Sequence, residues 1–213
     1  MMLIKRFVCN MLQENCYVVS DGDGMTAIID CGAWGTTEEQ AVCNYIVEHG
    51  LTPVVLLCTH GHLDHTIGNA AINRQFGLWP MMNKGDVRMY ANAKGQARNF
   101  YGVELDRELP EVKTLLSDGD TVEVGALRLQ VVATPGHSRG SVVFYCQEER
   151  VAFTGDTLFR MSIGRTDLDG GHWPAMAATL KRLSSLLPDD TRLLPGHGPE
   201  TTMGIERKMN PYM

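Results

Sequence analysis

The segment Thr59-His60-Gly61-His62-Leu63-Asp64-His65 places three histidines and an aspartate within six residues. That stretch is too short to form one face of a helix. His60 and His62 are two apart, so in extended backbone their side chains emerge on the same side. Asp64 and His65 are adjacent and point differently from that first pair, so the four side chains do not easily serve the same ion. The spacing therefore predicts two neighbouring metals, one taken by each pair. Imidazole with carboxylate suits zinc, and also iron or manganese. A merely polar, histidine-rich loop is the alternative, and an apolar strand directly before the cluster argues against it.

A paired-metal site needs more donors than one loop holds. Thr134-Pro135-Gly136-His137-Ser138, Thr154-Gly155-Asp156-Thr157 and Leu194-Pro195-Gly196-His197-Gly198 each place a histidine or aspartate after a strand-like run, in a turn containing glycine. Glycine lets the backbone turn sharply near a crowded site. Loops at strand ends are where a rigid scaffold holds reactive groups. Singly these segments are ordinary turns.

The elements that must position these loops follow from pattern. Leu3 to Cys9, Asn15 to Ser20 and Met25 to Asp30 are runs of β-formers, the last two joined by Asp21-Gly22-Asp23-Gly24, a hairpin signal. A helix is predicted from Thr36 to His49, stopped by Gly50. Val54 to Cys58 is a fully apolar strand, with one helix expected after it from Asp64 to Phe76, closed by Gly77. Residues 84–111 lack a clean period and read as helix and loop. Tyr90, Phe100 and Tyr101 there are available either to a pocket or to the core. Strands resume at Thr121 to Val124, Leu127 to Ala133, Ser141 to Cys146 and Val151 to Thr154. A last helix spans Pro174 to Leu187, and a short strand Arg192 to Leu194 precedes a C-terminal tail. Two such β-α blocks suggest two sheets packed face to face with helices outside.

A chain of 213 residues suits one domain, 1–213, with a core that needs no disulfides. Net charge is −6, so no basic footprint for nucleic acid is expected. No signal peptide and no membrane-length apolar run are read. The six cysteines form no C-x-x-C pair, and most lie in apolar runs. They read as reduced, buried residues of a cytoplasmic protein; Cys31, beside a glycine, is the one nearest a candidate site. His49 reads as structural. His172 is expected at a helix N-terminus or at the edge of the site.

Taken together and in this order, these motifs resemble the metallo-β-lactamase superfamily, with its H-x-H-x-D-H, H, D and H elements. The resemblance covers the whole chain. It extends to Phe153-Thr154-Gly155-Asp156-Thr157-Leu158-Phe159, to Ser162-Ile163-Gly164-Arg165-Thr166-Asp167, and to Thr201-Thr202-Met203-Gly204 with Asn210-Pro211. These look like the glyoxalase II (hydroxyacylglutathione hydrolase) branch, most like its short, single-domain bacterial members.

The resemblance implies an α+β fold, a four-layer αββα sandwich, with the site at one edge. It implies that His60, His62 and His137 hold one metal, that Asp64, His65 and His197 hold the other, and that Asp156 bridges them. Two divalent ions are expected, zinc first, with iron or manganese compatible. The implied activity is hydrolysis of a hydroxyacyl thioester such as S-lactoylglutathione. A hydroxide bridging cations about 3.5–4 Å apart would attack, with Asp64 orienting it. A thiolate needs little acid help, since a free thiol has a pKa of about 8.5. Arg165 and Asp167 are expected to pair and brace the loop beneath Asp156, while Arg160 or Lys84 is the candidate for a substrate carboxylate. The full-length glyoxalase II pattern carries a further basic helical region, and this chain stops soon after His197, which loosens the expectation of glutathione recognition. The alternatives are a persulfide dioxygenase with one iron, a phosphodiesterase or ribonuclease, a β-lactam hydrolase, and a non-catalytic metal-binding protein. The expected partner is a small-molecule thioester, with no nucleic acid and no membrane.

Overall fold

Alternation along the strands sorts apolar residues onto two faces, and this sorting builds the layers. The computed structural model describes residues 1–213. Its first half contains β1 (Leu3–Cys9), β2 (Glu14–Ser20), β3 (Met25–Ile29), α1 (Thr36–Glu48), β4 (Thr52–Leu57), α2 (Leu63–Thr66), α3 (Asn69–Phe76) and β5 (Pro80–Asn83). There follow α4 (Val87–Ala91), α5 (Ala93–Gln96), a π-helical turn (Ala97–Tyr101), β6 (Thr114–Leu116), β7 (Thr121–Val124) and β8 (Leu127–Ala133). The chain closes with β9 (Val142–Cys146), β10 (Val151–Gly155), β11 (Leu158–Phe159), β12 (Ser162–Ile163), α6 (Trp173–Leu186), β13 (Arg192–Pro195), β14 (Thr201–Thr202) and α7 (Met203–Met209).

Strands β1 to β6 form one sheet in sequence order, and the other runs β14-β13-β10-β9-β8-β7. Tyr17, Val19, Ala27 and Ile29 of the first sheet meet Leu129, Val131, Phe144 and Phe153 of the second in the central core. The intervening residues face outward. Val18, Ile28 and Leu56 pack on Val42 and Ile46 of α1 and Ile72 of α3. Val132, Val143 and Tyr145 pack on Met176, Leu180 and Leu183 of α6. The result is the expected αββα sandwich. No helix is long and apolar enough to cross a membrane.

Several local expectations are corrected. The helix expected over Asp64–Phe76 is two helices, because the chain bends between them and the Gly68 amide donates to the Cys31 carbonyl (2.8 Å) instead of continuing the ladder. β5 and β6, short and without clear alternation, fall in or beside the stretch read as aperiodic. The tail is structured. Thr202 caps α7, and Glu206 accepts from Thr201 Oγ1 (2.6 Å) and from the Met161 amide (2.8 Å). Asn210 donates to the Ser162 carbonyl (3.1 Å), so the tail clamps the β11–β12 hairpin that follows Asp156.

Candidate metal centre

The donor loops leave the ends of strands that share a direction within each sheet. β3 and β4 are parallel, as are β10 and β13, and β8 runs with β10 because β9 is antiparallel to both. The ends of β4, β8, β10 and β13 thus carry His60 to His65, His137, Asp156 and His197 to one edge of the sandwich. Backbone must come very close there. A Cβ on Gly196 would lie 2.4 Å from Asp156 Oδ1 and 2.5 Å from His65 Cε1. One on Gly155 would lie 2.3 Å from Thr59 Oγ1.

The structure brings all seven predicted side chains together. One donor atom from each of His60, His62 and His137 lies within 4.8 Å of the others, and the same holds for Asp64, His65 and His197. His62 Nδ1 is 2.9 Å from His137 Nε2, and His65 Nε2 is 3.2 Å from His197 Nε2. Around a tetrahedral ion with nitrogen ligands at about 2.0–2.1 Å, donors stand roughly 3.3 Å apart. Asp156 lies between the trios. Its Oδ1 is 3.3 Å from His65 Nε2, and its Oδ2 is 3.6 Å from both His137 Nε2 and His197 Nε2.

Outer hydrogen bonds turn the rings. Thr59 Oγ1 donates to Asp30 Oδ2 (2.6 Å), so the same hydroxyl accepts from His60 Nδ1 (3.0 Å), which leaves the His60 Nε2 lone pair facing inward. His65 Nδ1 donates to Asp30 Oδ2, His137 Nδ1 to the Arg165 carbonyl (2.8 Å), and His197 Nδ1 to the Leu12 carbonyl (3.0 Å). Such partners set tautomer and orientation in metal sites. Asp30, His60 and His65 also cluster, but the Asp30 carboxylate is already engaged by the Thr59 amide, the Thr59 hydroxyl and His65.

The donors fit cations on two further observations. His60 Nε2 and Asp156 Oδ1 are buried and have no hydrogen-bond partner, an arrangement that is costly unless something binds them. Burial also pushes the His62 imidazole down to about 4 and takes His60 well below the usual range, so these rings meet as neutral donors. In the second cluster burial opposes charge but loses. Asp156 and Asp64 hold His65 well above the usual imidazole range, and Asp64 raises His197. In return His65 holds Asp156 well below the carboxylate range, and His65 and His197 lower Asp64.

Sequence reasoning missed the residues that brace these loops. Asp86 is fully buried and accepts from the Gly61 amide (3.0 Å), the Gly140 amide (2.7 Å) and Ser138 Oγ (2.5 Å), tying the His60–His62 loop to the His137 loop. Gln96 accepts from the Leu63 amide (3.0 Å) and donates to the Gly61 carbonyl (3.1 Å). Asn15 donates to the carbonyls of Pro195 and Gly198 (both 2.9 Å), and so fixes the His197 turn. Glu14 is buried 3.9 Å from His65 Nδ1, and burial pushes its carboxyl well above the usual range.

Arg165 and Asp167 do pair, at 2.7 Å, on the surface of the loop whose backbone receives His137. His172 caps α6 through the Ala175 amide (3.3 Å), and His49 lies at the end of α1 against the Tyr45 carbonyl (2.8 Å). Cys31 is buried, and all six cysteines are free. Tyr90 belongs to the core, Tyr101 packs edge-on against Trp34, and exposed Phe100 lines a cavity of about 710 Å³ beside His62. Arg160 and Lys84 do not line that cavity; Arg88 and Arg139 do.

Two facing sheets with a histidine–aspartate cluster at one edge define a metal-dependent hydrolase. The family model described as "Metallo-beta-lactamase superfamily" matches residues 9–197, and the chain belongs to that superfamily. An uncharacterized protein of Mycobacterium bovis is 36% identical, covering 100% of this chain and 98% of its own length. The hydroxyacylglutathione hydrolase GloC of Haemophilus influenzae is 33% identical, covering 94% of this chain and 93% of its own. Among solved structures, TTHA1623 in a di-iron-bound form superposes with a TM-score of 0.88 at 37% identity, covering 98% of this chain and 100% of that one. The BLEG-1 B3 metallo-beta-lactamase superposes with a TM-score of 0.88 at 32% identity, covering 99% of each chain.

Proposed function

We propose that the protein is a binuclear hydrolase of hydroxyacyl thioesters, of the glyoxalase II kind, acting on S-lactoylglutathione or a related thiol conjugate. The observation that carries this reading is Asp156 set between two complete donor trios, with Oδ1 toward His65 and Oδ2 toward both His137 and His197. The 33% identity to a hydroxyacylglutathione hydrolase over nearly the whole chain supports a thioester substrate. His60, His62 and His137 would hold one cation, Asp64, His65 and His197 the other, and Asp156 both. Zinc fits these donors, and the di-iron form of a relative 37% identical supports iron equally.

When bound, divalent cations supply a water acidified to a pKa of about 7 and a polarised carbonyl. The chain does the rest. Asp64 stays ionised beside His197 (3.3 Å), where its carboxylate would orient the attacking water. Asp30, Thr59 and the Arg165 and Leu12 carbonyls hold the ring protons on Nδ1 of His65, His60, His137 and His197, so these four rings present Nε2 to the site. The departing thiolate needs no proton from the protein near neutral pH.

A persulfide dioxygenase with a single iron is the competing reading, and the second trio of Asp64, His65 and His197 weighs against it. A panel of acyl thioesters, with thiol release and oxygen uptake followed in parallel, tests the proposal. Thiol release without oxygen uptake is expected; oxygen consumed with glutathione persulfide, and no thioester turned over, would overturn it.

A further inference from the structure

The cavity beside His62 is lined by two arginines that the hydrolytic chemistry does not use, Arg88 on α4 and Arg139 in the loop after His137. Arg88 is exposed, and no carboxylate lies within ion-pair distance of it. Arg139 has only Asp169, at 4.0 Å, with side chains 75% and 98% exposed, a pairing too solvated to hold it.

Their backbones are fixed to one another. Arg88 stands two residues after Asp86, and Arg139 lies between Ser138 and Gly140, the two residues that donate to Asp86. The third donor to Asp86 is Gly61, between His60 and His62. One buried carboxylate therefore sets the spacing of both arginines and of the metal loop. Pre-organisation of this kind lowers the entropic cost of binding. Arginine forks suit carboxylates, which they engage through two parallel hydrogen bonds.

The cavity is about 710 Å³, within the range that holds a drug-sized ligand, and far larger than a short hydroxyacyl group requires. Asn92 supplies amide hydrogen bonding and Phe100 an apolar wall.

We infer that this cavity takes the thiol half of the substrate and that Arg88 and Arg139 bind its carboxylates, making them specificity-determining residues for anionic thioesters. The inference rests on the thioesterase reading. It gives this chain an anion subsite built from its own α4 and the His137 loop.

Titration calorimetry of metal-loaded protein with S-methylglutathione, which has no thioester to cleave, tests it. Wild type should bind. Arg88→Ala and Arg139→Ala should each weaken binding about tenfold or more, as expected for a charge-assisted hydrogen bond. Arg192→Ala, which removes the same charge elsewhere on the surface, should not. S-methylglutathione with both carboxylates esterified should bind wild type weakly and ignore the arginine substitutions. Equal affinity for the ester, unchanged affinity in both variants, or no binding to wild type overturns the inference. Arginine-dependent binding in a protein that hydrolyses no thioester would leave the subsite standing and remove the thioesterase reading. Thioester turnover with unchanged KM in both variants would do the reverse.

Discussion

The Asp30 carboxylate lies 3.1 Å from Nδ1 of His65, and both residues are buried. Asp30 is not itself a free donor, since the same carboxylate holds the Thr59 amide (2.7 Å) and hydroxyl (2.6 Å). Through the hydroxyl it also orients His60. One acidic residue at the end of β3 thus aims one imidazole of each trio.

Asp30→Asn keeps the shape of that contact and removes its charge. Loss of such an outer partner typically costs 10–100-fold in metal affinity. We expect chelator competition to show about that loss, with the far-UV circular dichroism of wild type retained. Wild-type affinity in the variant would show that Asp30 is only packing.

Asp86→Ala strands the Gly61 and Gly140 amides, while the Ser138 hydroxyl keeps Ser141 Oγ at 2.6 Å. Buried donors left without partners cost about 1–3 kcal/mol each. A net loss of about 3 kcal/mol lowers Tm by roughly 6–12 °C in a chain of this length. Calorimetry should show that drop, with weaker metal binding at the first trio. A shift under about 2 °C would contradict the bracing role.

The seven donors are legible in the sequence because His60, His62, His137, Asp156 and His197 each follow a strand and adjoin a glycine, while Asp64 and His65 are found by their spacing from His62, although they stand on α2. Asp30 has a related signature, following Ala27-Ile28-Ile29 and preceding Cys31-Gly32, and could have been found by it. Asp86 could not. Its three partners lie 25, 52 and 54 residues away, so its role exists only once the loops have met. The two sheets follow from short runs of β-formers: β7 and β8 alternate with period two, while β2, β3 and β9 are buried on both faces and read as continuous runs. β5, β6 and α7 are short, and tertiary contacts rather than periodicity define them. Arg88 and Arg139 carry no motif, and only the cavity they both line gives them meaning.

In metal-free protein His62 contributes a pH dependence with a definite sign. Its folded pKa of about 4 lies below the unfolded value of 6.5. Its stabilisation is therefore full above pH 6.5 and is lost as the pH falls toward 4, by about 3 kcal/mol at the acid end. His65 and His197, raised by Asp156 and Asp64, work in the opposite sense, so the readout is a difference. The stability gap between wild type and His62→Gln should narrow as pH falls through this window in urea titrations. A constant gap from pH 7.5 to 4 would contradict the assignment.

Chelation should destabilise the protein, because anything that binds only the folded state stabilises it by mass action. Tm should fall on metal removal and recover when zinc or ferrous iron is restored, with two equivalents needed for full recovery. Recovery complete at one equivalent would count against the paired centre.

Whether the protein is a paired-metal thioesterase is decided by turnover of S-D-lactoylglutathione by metal-analysed protein, with Asp156→Ala alongside. We predict rapid thiol release by wild type carrying two metals, and release reduced at least a thousandfold in the variant. Wild type with two metals bound that releases no thiol from this or any other acyl thioester, or a variant as active as wild type, would contradict the account.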